Sequence, residues 1–228
     1  MPQFVNLPTS PGQLDGSRYA GRVRGLIYDA AILGLTTKWY AEVLDRLPRG
    51  ARLLDVGIGT GGALANNAER VVAKDLRVVG VDIDEDYVKR SRKHMERAGL
   101  HDHVEVRLES ILDHAGGPYD AVYFSASFML MPDPPGVLRH VQDLLTPRGR
   151  VYFTQTFQDK RSPVLEKAKP LLKAVTTIEF GRVTYEEDFR STVEAGGLRL
   201  VELSTMETAG ARSYRLAVGV PGTRAASA

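Results

Sequence analysis

The chain has 228 residues, with 43% hydrophobic and 25% charged residues, a formal net charge of +2 and no cysteine. That length suits one compact domain with at most a modest appendage, and the proportions exclude a fibrous, collagenous or largely disordered chain. So small a charge gives no polyelectrolyte footprint, so no nucleic-acid partner is expected, and the missing thiols exclude disulfide scaffolds, thiolate zinc centres and cysteine nucleophiles.

Residues 1–20 carry Pro2, Pro8, Pro11, Gly12 and Gly16, the mark of an irregular arm. The opening MPQFVNLPTSPGQLDG lacks the basic start and apolar run of a secretory signal, and no stretch approaches the roughly 18 apolar residues of a membrane span. A cytoplasmic location is the expectation. From Leu26 to Leu47 apolar residues fall at helical spacing, with Gly34 as a potential break and Pro48 as the stop. Trp39 and Tyr40 read as buried packing residues of that run.

Strand and helix then alternate. Apolar, β-rich runs occupy 51–56, 77–82, 103–108, 119–125 and 149–156, with helical patterns at 63–74, 85–98 and 135–145 between them. Such βα units, with nearly continuous apolar strands, argue for a parallel sheet covered on both faces. In the second helix Lys89, Arg90, Arg92, Lys93 and Arg97 read as a solvated face opposite Tyr87, Val88, Met95 and Ala98. The alternation breaks at 160–181, a segment in which Pro163 and Pro170 bracket a short helical piece and which reads equally as a lid or a connecting insertion. A helix near 185–196 leads into two strand-like runs around Gly210, a terminal antiparallel hairpin, and the last eight residues read as a frayed tail. The fold class expected is α/β, doubly wound and mostly parallel, with arm and capping helices over 1–48 and the main domain over 49–220.

The stretch LLDVGIGTGGAL, residues 53–64, carries the chemistry. Gly57, Gly59 and Gly62 satisfy a G-x-G-x-x-G dinucleotide turn; Gly57, Gly59 and Gly61 satisfy G-x-G-x-G with Asp55 two residues ahead. Both parses place glycines where the chain must bend and a ligand approach the backbone. A pyrophosphate would sit at the helix N-terminus, where a neighbouring carboxylate is unfavourable. Asp55 instead suits a cationic ligand such as S-adenosylmethionine, which carries an ammonium and a sulfonium. Asp82, ending the second strand, can accept ribose hydroxyls from either ligand. Some fifty residues precede the turn, which together with the hairpin is foreign to a standard dinucleotide domain.

On these residues the chain resembles the class I S-adenosylmethionine-dependent methyltransferases. LLDVGIGTGG is similar to their first motif, VVGVDIDEDYV to the ribose-holding segment, PYDAVYFSASFML to the fourth strand and LLTPRGRVYFTQT to the strand after an L-x-P-G-G turn, in which Arg148 replaces the first glycine. The resemblance implies a Rossmann-like seven-stranded sheet of order 3-2-1-4-5-7-6 and S-adenosyl-L-methionine as cofactor. It also implies that Gly57, Gly59 and Gly61 pass beside the methionine portion and ribose, that Asp55 meets the ammonium, and that Asp82 holds the ribose. Ile83 and Ile111 would flank adenine, with Glu109 or Ser110 at its amino group, and Ser125, Ala126 and Ser127 would lie near the transferable methyl. Phe128 and Met129 would be pocket wall or core.

The segment 24–40 is similar to the entry helix of quinone and phospholipid N-methyltransferases, which implies that Tyr28 closes over the methionine end with help from Tyr19. Ser125, Ser127 and Tyr28 are therefore the candidate catalytic side chains, and the acceptor expected is a small molecule or lipid headgroup methylated at nitrogen, oxygen or sulfur. The string [ND]-P-P-[YFW], often carried by enzymes that methylate exocyclic or amide nitrogens, is replaced by S-A-S-F, and Asp133, Pro134 and Pro135 fall too late for it and read as a helix cap. His101 and His103 read as exposed strand-entry residues, and His114 and His140 as surface residues; no metal site is expected. A nicotinamide-dependent oxidoreductase and a non-catalytic cofactor-binding module remain the alternatives.

Overall fold

The computed structural model describes residues 32–159 and 184–222. A helix, α1, covers 32–46. It is followed by β1 (Arg52–Val56), α2 (Gly62–Ala65), α3 (Ala68–Ala73), β2 (Arg77–Asp82), α4 (Glu85–Arg97), β3 (Val104–Leu108) and β4 (Tyr119–Ser125). Then come a 3-10 turn at Phe128–Leu130, α5 (Pro134–Asp143), β5 (Leu145–Gln158), α6 (Glu186–Ala195), β6 (Leu198–Ala209) and β7 (Arg212–Pro221). The seven strands form one sheet of order β3-β2-β1-β4-β5-β7-β6. β1 to β5 are parallel, and β7 runs antiparallel to both β5 and β6. This is the Rossmann-like doubly wound sheet with a terminal hairpin that the alternation of elements implies.

Alternation along the strands divides the core in two. Leu53, Ala121, Tyr123, Tyr152 and Leu216 face α1 and α4 with Tyr40, Val43, Leu44, Val88 and Met95. Leu54, Val56, Val122, Phe124, Phe153 and Ala217 face α5 and α6 with Val137, Leu138, Val141, Phe189 and Val193. Both faces of the central strands are thereby removed from water, the condition that a parallel sheet requires. Phe128 belongs to this second layer, edge-on to Phe124, Phe153 and Phe189, and is core. Met129 packs partly buried against the same cluster.

Local differences from the sequence pattern have physical causes. α1 runs unbroken through Gly34 among the described residues. The helix expected over 63–74 is two short ones, because the buried Asn67 amide donates to the carbonyls of Ala63 and Thr37 at 2.8 and 3.0 Å and so diverts the chain. β5 begins at Leu145, not 149: Tyr119 pairs with Leu145 and Ala121 with Arg150, so Thr146, Pro147, Arg148 and Gly149 fall in a bulge where proline's missing N–H is not needed. Asp133 caps α5 through Gly136 N at 3.0 Å with Pro134 at the first position, as its sequence setting suggests. Tyr87, placed by spacing on the apolar side of α4, is 44% exposed, and Ser91 takes the buried position.

The arm over 1–20, Tyr19, Tyr28, the 160–181 segment and all of the tail beyond Gly222 lie outside the described residues. Pro221, the first residue of the expected tail, closes β7.

Candidate functional site

The carboxyl ends of β1, β2 and β4 converge where the sheet reverses direction from β1, the position at which open α/β sheets hold ligands. Gly57, Gly59 and Gly61 have φ of 74°, 60° and 70°, so each occupies the left-handed region that glycine adopts without penalty. Gly62 has no positive φ and is the first residue of α2. The conformations thus follow the G-x-G-x-G parse. α2 is a single turn of four residues, which supplies little of the aligned dipole that a pyrophosphate site uses.

The glycines do different jobs. A Cβ on Gly57 would meet Ser127, and one on Gly61 would fall 2.3 Å from Ser91 Oγ and 3.0 Å from Met95 Cε on α4. Only beside Gly59 is there open space among these three, and it is there that a ligand can lie against the backbone. The Gly59 N–H donates to Oδ2 of Asp82 at 2.9 Å and Asp84 N–H donates to Oδ1 at 3.0 Å. Each carboxylate oxygen keeps a lone pair for a further donor, which fits a diol. Ile83, next to Asp82, is 78% exposed, an apolar side chain of the kind a purine covers.

Asp55 is fully buried on the α1 face of β1. Its Oδ2 accepts from the Tyr40 hydroxyl at 2.7 Å, and its Oδ1 has no hydrogen-bond partner among the described residues. Burial raises the Asp55 carboxyl to about 7 against the opposing pull of the Tyr40 hydrogen bond, with Asp82 raising it further. Burial also holds the Tyr40 phenol well above its ordinary value. The Tyr40 ring stands edge-on to Tyr123, 4.9 Å between centroids, and the Tyr123 hydroxyl pairs with Thr154 Oγ1 at 2.7 Å. A buried carboxylate oxygen without a donor is costly unless a ligand supplies one, which suits a cation.

At the end of β4, Ser125 is half-buried and Ala126 takes φ 57°, a conformation costing a residue with a Cβ about 1–2 kcal/mol. Its N–H is held by the Thr154 carbonyl at 2.8 Å. Ser127 is buried and donates its hydroxyl to the Val56 carbonyl at 2.5 Å, closing β4 onto the glycine turn. Beyond β3, Ser110 Oγ accepts from Leu112 N–H at 3.2 Å, Ile111 is only 5% exposed within the core, and Leu112 is the exposed apolar neighbour. Glu109 turns away to His114, Oε1 to Nδ1 at 2.5 Å, and His114 Nε2 meets the Tyr119 hydroxyl at 2.8 Å.

Sequence reasoning therefore brings Asp55, the glycines, Asp82, Ile83 and the end of β4 to one place. It mislocates His114, which is buried rather than at the surface, and His103, which is partly covered and bonded to the Leu76 carbonyl at 3.0 Å; His101 is exposed. Tyr40 was legible only as packing, although a buried tyrosine hydroxyl must find a partner.

A doubly wound sheet of order 3-2-1-4-5-7-6, with a left-handed glycine turn and acidic residues ending its first two strands, is the architecture of a class I methyltransferase. The family described as "Methyltransferase domain" matches residues 28–203, and the chain belongs to it. It is 34% identical over 110 residues to a ubiquinone biosynthesis O-methyltransferase from Xanthomonas axonopodis pv. citri (strain 306), covering 47% of this chain and 44% of that protein. To a nocamycin O-methyltransferase from Saccharothrix syringae it is 39% identical over 132 residues, covering 56% and 46%. The match thus spans less than half the length of each of these relatives. Among solved structures, geranyl diphosphate C-methyltransferase from Streptomyces coelicolor A3(2), in complex with Mg2+, geranyl diphosphate and S-adenosyl-L-homocysteine, superposes with a TM-score of 0.64 at 15% identity, over 82% of this chain and 79% of that one. At that identity the likeness shows the fold.

Proposed function

We propose that the protein transfers the methyl group of S-adenosyl-L-methionine to a small organic molecule, with an oxygen as the acceptor atom. The observation that carries this reading is the pairing of an open, left-handed Gly59 with a buried Asp55 whose Oδ1 lacks a donor among the described residues. The cofactor supplies a sulfonium-activated methyl carbon. Asp55 accepts from its ammonium, Asp82 from the ribose hydroxyls, and Gly57, Gly59 and Gly61 shape the turn beside them. Ile83 covers one side of adenine, while Ser110 and the buried Ile111 back the other. Ser125 and Ala126 border the methyl and Ser127 holds that border in place. The choice of oxygen is supported by the names of the two relatives, both O-methyltransferases.

Methyl transfer is an in-line displacement, and holding donor and acceptor in line can remove roughly 7–11 kcal/mol of barrier, so a dedicated base is not obligatory. The half-buried end of β4 is where this chain orients the acceptor and limits water. A lipid headgroup is the alternative small acceptor.

The test is incubation with S-adenosylmethionine and a panel of phenols, catechols, enols, amines and thiols, following S-adenosylhomocysteine release. Methylated oxygen products are expected. Products formed only on nitrogen or sulfur would refute the acceptor atom, and tight cofactor binding without product from any acceptor would favour a non-catalytic binding module.

A further inference from the structure

We propose that Tyr40 is a positioning residue of the cofactor site: by donating its hydroxyl hydrogen to Oδ2 of Asp55 it fixes the carboxylate so that Oδ1 is left to receive the ammonium of the sulfonium cofactor. This rests on the cofactor assigned under the proposed function.

The geometry commits one buried carboxylate oxygen and leaves the other, equally buried, without a partner among the described residues. Tyr40 and Asp55 are 3% and 0% exposed, and their contact of 2.7 Å is made inside the α1 face of the sheet. The carboxylate cannot rotate without losing this bond, because the Tyr40 ring is held edge-on by Tyr123 and the Tyr123 hydroxyl by Thr154. One oxygen is therefore committed and the other is a buried acceptor without a partner among the described residues. A neutral acid would place a proton on one oxygen, and with Tyr40 already donating to Oδ2 that proton would occupy Oδ1, the oxygen the ligand needs. Tyr40 thereby favours the ionised form of Asp55.

Among the described residues the titratable groups facing Asp55 are Tyr40 from α1, Tyr123 from β4 and Asp82 at the end of β2. Tyr40 opposes protonation through its hydrogen bond, whereas Asp82 and burial promote it. Burial holds the carboxyl at about 7, and the Tyr40 bond is the contact that pulls it back toward the ionised form. The same contact ties α1 to ligand binding: α1 is the element from which Trp39 also reaches Tyr214 on β7, 5.9 Å between ring centroids.

The test is calorimetric titration of wild type and Tyr40→Phe with S-adenosylmethionine from about pH 6 to about pH 9, read as the pH dependence of Kd. The ligand's own titration is common to both proteins. Loss of the hydrogen bond is expected to move the acid limb of binding upward by about one pH unit, giving roughly tenfold weaker binding below the limb and near-equal binding above it. An equal loss at every pH, with the limb unmoved, would mean that Tyr40 only packs and would overturn the proposal.

Phenylalanine keeps the ring contact with Tyr123. If that variant does not fold, Asp55→Asn, which keeps an acceptor for Tyr40, is expected to bind more weakly with no acid limb, and wild-type-like binding with the limb retained would overturn the proposal. A carboxyl-carbon NMR titration of Asp55 in ligand-free protein reads the same effect without the cofactor: its midpoint should rise in Tyr40→Phe, and an unchanged midpoint would count against Tyr40 alone. A wild type that binds no S-adenosylmethionine at any pH would defeat the cofactor assignment itself.

Discussion

A Cβ placed on Gly57 would lie 2.7 Å from the Cβ of Ser127, whose hydroxyl donates to the carbonyl of Val56. The end of β4 is thus locked onto the turn after β1, and the missing side chain is what permits it. Gly57→Ala combines this clash with φ 74° and is expected to destabilise the fold by about 2–4 kcal/mol, measurable by chemical denaturation. A loss below about 0.5 kcal/mol would show that the turn yields easily.

Gly59→Ala separates binding from folding. No atom of the described residues lies within 4 Å of its Cβ position, so the folding cost expected is that of the left-handed backbone, about 1–2 kcal/mol. The added methyl occupies the space assigned to the ligand, and cofactor affinity should fall at least about tenfold, a loss of about 1.4 kcal/mol. Unchanged affinity would place the ligand elsewhere.

Asp55 sets a stability trade. Its folded value of about 7 lies above the ordinary 3.8, so the native state binds more protons than the unfolded state between these values. The stability from this group is present in full below the unfolded value and is lost as pH rises through about 7. Asp55→Asn should therefore raise the unfolding free energy above pH 7 by about 1–3 kcal/mol, while leaving it little changed in acid. Thermal unfolding across pH checks this, and a variant destabilised at high pH would contradict it.

The pattern of strands was readable because each carries a short apolar run, and the β1 turn because three glycines and an aspartate leave few ligands that fit. What was not readable depends on contacts across the sheet. Tyr40 reaches Asp55 over fifteen residues of sequence, and nothing in the local pattern of α1 distinguishes it from Trp39 beside it. His114 lies in a polar stretch whose composition suggests the surface; only the fold brings Glu109 and Tyr119 to its two nitrogens and allows its burial. The early start of β5 is hidden by Pro147 and Gly149, which read as a turn and are accommodated in a bulge.

His114→Phe provides a contrast with the site variants. It keeps a planar ring but strips the Tyr119 hydroxyl and Glu109 of a shared partner, and should cost about 1–3 kcal/mol of stability. Cofactor affinity of the folded variant should stay within about threefold of wild type, under 1 kcal/mol. A selective loss of affinity would draw Glu109 back into the adenine pocket.

Calorimetric titration of wild type and Asp82→Ala with S-adenosylmethionine and with NAD tests the central reading most directly. Binding of the sulfonium compound, weakened at least about tenfold by loss of the ribose-holding carboxylate, and no binding of NAD are the expected results. Binding of NAD without S-adenosylmethionine would contradict it and restore the dinucleotide parse of the glycine turn.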